Sequence, residues 1–463
     1  MLIAIIGSGS SAFAAAIKAV EEGAQVTMIE GGNVIGGTCV NTGCVPSKIF
    51  IRGAYIAHLQ GHHDFRGLPP NTPNIDRKAM VTQQQEWVDN LRHAKYESIL
   101  ESNPDIQMVR GIASFKNANT LRICKADATE QEIQADRIFI AVGANATRPV
   151  IPGLADTPYW TSTEALIAEE IPRHVIVLGG SVVALELAQA FRHLGAKVTI
   201  IARSTLLSKK DPEIGTGLKA AFECEGIVVM THTSTDAISH DGKLFSVSTN
   251  NGEIRGDKVL VATGRQANTA ALDLDKAGIK TDKRGAIIVD DHMRTSVENI
   301  YAAGDCSNQP QFVYVAAAAG TRAARNMMGD DATIDLSIMP EVVFTSPQVA
   351  TVGVSEQQAK AQGLNVDSRT LELENVPRAL ANFDTRGFVK LVAEKDTGRI
   401  VGCQVFAAEG GEIIQTAVLA MSNRMTIQDL ADQLFPYLTM VESLKLCAQT
   451  FYKDVTQLSC CAG

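Results

Sequence analysis

The chain opens on an apolar run that ends at a glycine. Leu2-Ile3-Ala4-Ile5-Ile6 has no polar position, the pattern of a strand buried on both faces of a parallel sheet. Gly7-Ser8-Gly9-Ser10-Ser11-Ala12 follows, then an alanine-rich stretch that reads as a helix to about Glu22, capped by Gly23. Residues 25–29 form a second strand ending at Glu30. Strand, glycine turn, helix and strand make a βαβ unit with G-x-G-x-x-A at its first turn, through Gly7, Gly9 and Ala12. Such glycines let the backbone approach a pyrophosphate at a helix N-terminus, and a carboxylate at the position of Glu30 takes ribose hydroxyls.

The pattern recurs. Residues 173–178 predict a strand, Gly179-Gly180-Ser181-Val182-Val183-Ala184 a turn, residues 185–193 a helix and residues 197–201 the next strand. Two such units imply two different dinucleotides. The second departs from the first, since Ser181 stands where a glycine is expected and no acid ends its second strand. Ala202-Arg203 is there instead, with Lys209 and Lys210 close by. Without a carboxylate to repel it, a 2′-phosphate is accommodated, and Arg203 and Lys209 are its candidate partners. NADPH is therefore preferred to NADH, the alternative being that these cations are solvated loop charges.

Residues 138–142 before Gly143, and residues 259–262 before Thr263-Gly264-Arg265, read as strands returning to the first and second units. Residues 299–303 form a further strand ending at Gly304-Asp305. From about residue 337 the periodicity changes. Strands over 388–392 and 400–405 precede helices over 412–422, 427–434 and 441–450, which suggests a separate α+β domain.

Composition narrows the function class. With 463 residues, 45% of them hydrophobic and 20% charged, this is an ordinary globular chain of two to three domains. A net charge of −9 argues against nucleic acid or an anionic membrane as partner, because either favours a basic face. The apolar start has no basic residue before it, and the glycine turn falls inside it, so it is not read as a signal peptide. No apolar run reaches the roughly 18 residues of a membrane span, and the cytoplasm follows by default. Nine cysteines are an odd number in a chain too large for a disulfide scaffold. A reducing compartment with one catalytic disulfide fits better.

Two thiol pairs carry the candidate chemistry. Cys39-Val40-Asn41-Thr42-Gly43-Cys44 is a C-x₄-C pair at a helix start, where the helix dipole and nearby cations favour thiolate. Cys460-Cys461 lies on the polar tail Ser459–Gly463. Thiolates are preferred ligands of soft cations, and adjacent cysteines do not easily close an unstrained disulfide. The tail reads as a soft-metal catcher, the alternative being a terminus with incidental cysteines. Cys124, Cys224, Cys306, Cys403 and Cys447 have no partner by spacing and are read as packing residues.

The chain resembles the flavin disulfide oxidoreductases, such as glutathione reductase and lipoamide dehydrogenase, over nearly its whole length. The carriers are Gly7–Ala12, the run Gly36-Gly37-Thr38-Cys39 through Cys44-Val45-Pro46-Ser47-Lys48, Ala262-Thr263-Gly264-Arg265, and Thr295 through Tyr301-Ala302-Ala303-Gly304-Asp305. The resemblance implies an α/β fold with two Rossmann-like domains and a C-terminal α+β dimerisation domain. Residues 1–147 and 266–336 would bind FAD, 148–265 NAD(P)H, and 337–463 would form the interface. It implies FAD on the first site, held by Gly7, Gly9, Ala12, Glu30, Gly37, Thr38, Lys48, Gly143 and Asp305. It implies the pyridine nucleotide on Gly179, Ser181, Arg203, Lys209 and Gly264. Cys44 would face the flavin, Cys39 would be the interchange thiol, and Lys48 would pair with Glu186.

Disulfide reductases of this family carry a His-Pro…Glu motif whose histidine, supplied across a homodimer, is the acid–base catalyst. Here Tyr437 aligns with that histidine and Glu442 with the glutamate, in Phe435-Pro436-Tyr437-Leu438-Thr439-Met440-Val441-Glu442. A phenol titrating near pH 10 is a poor proton shuttle at neutral pH. A soft metal ion, held in turn by Cys460 and Cys461 of one subunit and Cys39 and Cys44 of the other, is therefore expected as substrate in place of an organic disulfide. Competing readings are a disulfide reductase with an unusual C-terminus, a metal-sequestering flavoprotein, and a transhydrogenase or NADPH oxidase. Val182 stands where many relatives carry an aromatic gate over the nicotinamide. Some relatives carry an N-terminal metal-binding domain with its own C-x-x-C. This chain begins directly at the first strand, as a core form or part of a longer one. Whether a metallochaperone or transporter donates the ion stays open.

Overall fold

The computed structural model describes residues 1–458, so Cys460 and Cys461 lie outside the described residues. The chain divides into two compact units. The first comprises Met1–Ile49, Lys78–Arg148 and Gly264–Asp335, and the second comprises Phe50–Arg77, Pro149–Thr263 and the described residues from Leu336 onward.

In the first unit β1 (Leu2–Ile6) lies in a parallel five-stranded sheet. Its neighbours are β2 (Gln25–Glu30) on one side and Arg137–Ile140 on the other, with Ile106–Arg110 and Ile300–Ala302 at the edges. Four of the five β1 residues are buried, as its unbroken apolar run requires. Helix α1 (Ser10–Glu21) owes its alanines to a close neighbour, the helix Val313–Met327. A Cβ on Gly320 would stand 2.3 Å from the Ser11 carbonyl oxygen, so only glycine permits that approach. A three-stranded antiparallel sheet (Ile112–Asn117, Thr120–Cys124, Glu130–Gln134) completes this unit's second core.

In the second unit four parallel strands take the order Val228–Met230, Lys197–Ile201, His174–Leu178, Lys258–Val261. A five-stranded antiparallel sheet (Glu341–Val343, Gln348–Gly353, Ile400–Ala407, Phe388–Glu394, Val366–Glu372) carries the helices Gly410–Ser422 and Glu442–Gln449. The core between this antiparallel sheet and its helices is mainly Ile, Leu, Val and Ala, with Met421, Met440 and the fully buried Cys403 and Cys447.

Two differences from the sequence pattern have local causes. The helix of the second βαβ unit starts at Val182 rather than at Leu185, because Ser181, extended at φ −117°, already serves as its N-cap. Cys124 and Cys224 are exposed, so the reading of all five remaining cysteines as packing residues holds only for Cys306, Cys403 and Cys447. Cys124 falls on the outward face of an alternating strand, and Cys224 is the last residue of the helix Pro212–Cys224.

Candidate active site

Cys39 and Cys44 sit on two consecutive helices rather than on one. Cys39 lies inside the short α2 (Gly37–Asn41), and Cys44 is the first residue of α3 (Cys44–Leu59). The link folds back on itself, with Thr42 N–H donating to the Thr38 carbonyl at 3.0 Å. A Cβ on Gly43 would stand 2.9 Å from that same oxygen, which keeps the position free of a side chain. The turn brings the two thiols, both in the free form, close enough to influence each other's ionisation.

That contact splits their acidities. The Cys39 thiol, donating to Cys44, lowers the Cys44 pKa to about 7, helped by the Lys48 charge and the Cys44 amide and opposed by burial. The same hydrogen bond, with burial, pushes Cys39 well above the ordinary thiol range. Cys44 is the thiolate of the pair at neutral pH and Cys39 its proton-bearing partner. In the dithiol enzyme, alkylation of this pair should therefore quicken about ten-fold from pH 6 to pH 8, since thiolate is the form present above the pKa. Mass spectrometry of the peptide holding both cysteines follows it, and a rate that begins to climb only above pH 8.5 would contradict the assignment.

Two positioning groups have no signature in the sequence. Asn41 donates from Nδ2 to the carbonyls of Ile35 and Gly37, at 2.8 and 2.9 Å, and its Oδ1 accepts from Arg92 Nη1 at 3.1 Å. Arg92 is itself held by Asp89 and Glu97. Tyr96, in a π-helical turn (His93–Glu97), packs edge-on to Phe13 at 4.9 Å and covers Gly36. Burial raises its pKa. Only the folded arrangement brings helix α4 (Arg77–Arg92) and this turn against the thiol loop.

The first glycine turn leaves backbone open where a dinucleotide would approach. Gly7 is at φ +110°, and a Cβ there would lie 2.4 Å from the Ala141 carbonyl oxygen, so the fold alone requires glycine. Gly9 differs. Its φ is −80°, and a Cβ would meet nothing closer than the Gly37 Cα at 3.8 Å, so the missing side chain leaves a cradle the protein itself does not fill. Ala12 is fully buried behind this turn. The Ser11 hydroxyl is buried without a partner, and Thr38 stands beside Gly37 in the first turn of α2. Glu30, at the end of β2, accepts from Ser8 Oγ at 2.5 Å and from Gly32 N–H at 2.6 Å, which fixes the carboxylate at the mouth of the turn. Asp305 forms an ion pair with Arg265 (3.2 Å), while burial raises its pKa. Gly143, at φ +66°, has nothing within 4 Å of its Cβ position, and Gly264 has only Thr147 Oγ1 at 3.7 Å.

In the second unit Gly179 is at φ +137°, with the Ala262 carbonyl 2.3 Å from its Cβ position. Arg203 and Lys209 are exposed, and neither has an ion pair among the described residues. Lys210 is engaged, 2.6 Å from Glu341. Glu186 is buried in the helix Val182–His193 and accepts from the Phe344 N–H at 2.9 Å. Val182 begins that helix, half-buried. Tyr437 is exposed, while Glu442 accepts from the Leu438 N–H at 3.2 Å and so fixes the loop that carries the tyrosine.

Comparison with known proteins identifies the family. Residues 1–320 match the pyridine nucleotide-disulphide oxidoreductase family, and residues 339–448 match that family's dimerisation domain. The chain belongs to the pyridine nucleotide-disulphide oxidoreductase family, and is an α/β enzyme of the glutathione reductase-like fold that works with a flavin and a pyridine nucleotide. Its relatives include mercuric reductases. That of Shigella flexneri is 62% identical over 467 residues, covering 100% of this chain and 82% of the relative. That of Shewanella putrefaciens is 59% identical over 461 residues, covering 100% and 83%. Among solved structures, the Cu(II) complex of the HOCl-induced flavoprotein disulfide reductase RclA from Escherichia coli superposes with a TM-score of 0.89 at 30% identity, covering 98% of this chain and 99% of that one. LpdA from Mycobacterium tuberculosis does so with a TM-score of 0.85 at 26% identity, covering 98% and 100%. The dimerisation domain supports a homodimer. No helix of the described residues is long and apolar enough to cross a membrane.

Proposed function

We propose that the chain reduces Hg(II) to Hg(0) with NADPH, through FAD and the Cys39/Cys44 pair, with the ion brought by Cys460 and Cys461 of the partner subunit. The observation that carries this reading is the paired thiols themselves. One is held as thiolate near neutral pH beside Lys48, and the other is held protonated. A soft cation displaces the proton of Cys39 and is then bound by two sulfurs. Tyr437 supports the same reading, because ligand exchange between thiolates needs no strong acid–base catalyst.

FAD, when bound, supplies two-electron transfer between the pyridine nucleotide and the thiol site. Gly7, Gly9, Ala12, Glu30, Gly37, Thr38, Gly143 and Asp305 would hold it. Gly179, Ser181, Gly264, Arg203 and Lys209 would hold NADPH, the last two through its 2′-phosphate. Lys48 biases Cys44 toward thiolate, Glu186 is its expected partner, and Glu442 orients the Tyr437 loop along the ion's path. The overall change balances as NADPH plus Hg(II) giving NADP⁺, H⁺ and Hg(0), one electron pair moving from nicotinamide to metal. The substrate arrives as a Hg(II)–thiol complex, small thiols or a metallochaperone or transporter being its donor. The cytoplasm, rich in such thiols, is the expected location.

The test is NADPH oxidation at 340 nm by the flavin-loaded enzyme with Hg(II) in excess small thiol, with release of volatile mercury measured in parallel. Glutathione disulfide and lipoamide serve as rival substrates. Reduction of a disulfide without Hg(II) turnover would move the chain to the disulfide reductases. A Cys460→Ala/Cys461→Ala variant should lose turnover of thiol-complexed Hg(II) about ten-fold or more while NADPH still reduces the flavin at the unchanged rate. Undiminished turnover at every thiol concentration would remove the tail from the mechanism.

A further inference from the structure

Apart from the thiols, a cluster of metal-ligating side chains stands where three helices end. His58 lies in the last turn of α3, His193 is the last residue of the helix Val182–His193, and Glu225 is the C-cap of the helix Pro212–Cys224. One ligand atom of each lies within 4.8 Å of the other two. His193 Nε2 is 3.1 Å from Glu225 Oε2, and these two side chains are only 4% and 7% exposed. The His58 ring, half-buried, stacks on that of His193 with centroids 4.1 Å apart, and exposed His62 stacks on its other face at 4.1 Å. Three helix C-termini bring three negative dipole ends together, an environment that favours positive charge. Part of that charge is present already. Arg386 Nη1 stands 3.2 Å from Glu225 Oε1, Arg192 Nε donates to the Glu225 carbonyl at 2.5 Å, and Gln189 Nε2 donates to both carboxylate oxygens.

We propose that His58, His193 and Glu225 form a second metal site, for a divalent cation of the Zn(II) class, separate from the thiol pair. Two imidazoles and a carboxylate are a borderline N/O donor set that suits Zn(II), whereas a soft ion is drawn to thiolates. The two sites therefore sort cations by softness. Ligands about 2.0–2.1 Å from zinc stand roughly 3.3 Å apart in a tetrahedron. His193 and Glu225 already stand 3.1 Å apart, so only the His58 donor must approach, by at most about 1.5 Å, a movement that rotation of its half-buried ring can supply. Bound there, the ion would tie together the ends of three helices and stabilise the folded chain by mass action. The other such group among the described residues, Asp290, Asp291 and His292, is largely exposed, and His292 is already bridged to Asp291 and Asp331.

The experiment uses flavin-loaded enzyme with Cys39 and Cys44 oxidised to the disulfide and the remaining accessible thiols alkylated, stripped with chelator and dialysed against Zn(II). Wild type should hold one Zn(II) per chain more than His58→Gln, and its thermal midpoint should rise with Zn(II) while that of the variant does not. Cu(II) as a spectroscopic probe should show nitrogen coupling from two imidazoles in wild type and from one fewer in His58→Gln. His58 is half-buried, so this substitution spares the core; His193→Gln repeats the test where it folds. Equal Zn(II) stoichiometry in wild type and His58→Gln would overturn the proposal and leave the cluster as a closed His–Glu–Arg network capping three helix ends.

Discussion

Cys44→Ser should lower Hg(II)-dependent NADPH oxidation by about 10³-fold or more, with flavin content unchanged. Three physical losses coincide in that one atom. A hydroxyl has no thiolate-like form near neutral pH, so the acid split between Cys39 and Cys44 disappears. Oxygen is a hard donor and does not retain a soft cation. Cys39, left without a thiolate partner, keeps one sulfur for the ion where two are needed. The exchange is nearly isosteric, so stability should change by less than about 1 kcal/mol. Steady-state assays at 340 nm, together with the thermal midpoint and flavin absorbance, separate the chemical effect from a folding defect. Turnover within ten-fold of wild type would mean that Hg(II) is reduced without coordination by this pair.

The same pair shows how far a sequence can be read. The spacing of Cys39 and Cys44 and the glycine turn before them are local features, and local features were legible. The glycine turn at Gly7 falls between strand and helix as the pattern predicts. The unbroken apolar run of residues 2–6 is the central strand. Cys124 was also legible in principle, because Leu121 and Ile123 are buried and alternation then turns residue 124 outward. What stayed hidden depends on distant segments meeting. Nothing near Asn41 announces Arg92, 51 positions away, and nothing announces that a π-helical turn sets Tyr96 over Gly36. The cluster of His58, His193 and Glu225 is invisible for the same reason, since its members end three separate helices.

Gly37→Ala should cost both stability and flavin, whereas Gly9→Ala should cost flavin alone. Gly37 is at φ +68°, a region where a Cβ costs roughly 1–2 kcal/mol. Its Cβ would also stand 2.6 Å from the Gly9 Cα, closer than any real contact, so α2 would be driven off the first glycine turn. Because α2 carries Cys39, the displacement reaches the thiol pair as well as the turn. A loss of about 2–4 kcal/mol of stability is expected, together with flavin affinity weakened by at least ten-fold. At Gly9 the added methyl has space within the protein, and φ −80° suits alanine. Its cost to the flavin-free fold should stay near that of an N-cap change, about 1 kcal/mol or less. Flavin affinity should nonetheless fall, because the methyl fills the cradle through which the backbone meets the pyrophosphate. Denaturant unfolding of flavin-free protein, paired with flavin titration followed by fluorescence, measures the two effects separately. Unchanged flavin affinity in Gly9→Ala would mean that the open space at this turn is not where the dinucleotide lies. The assignment of the first βαβ unit to FAD would then fail, even with the thiol chemistry intact.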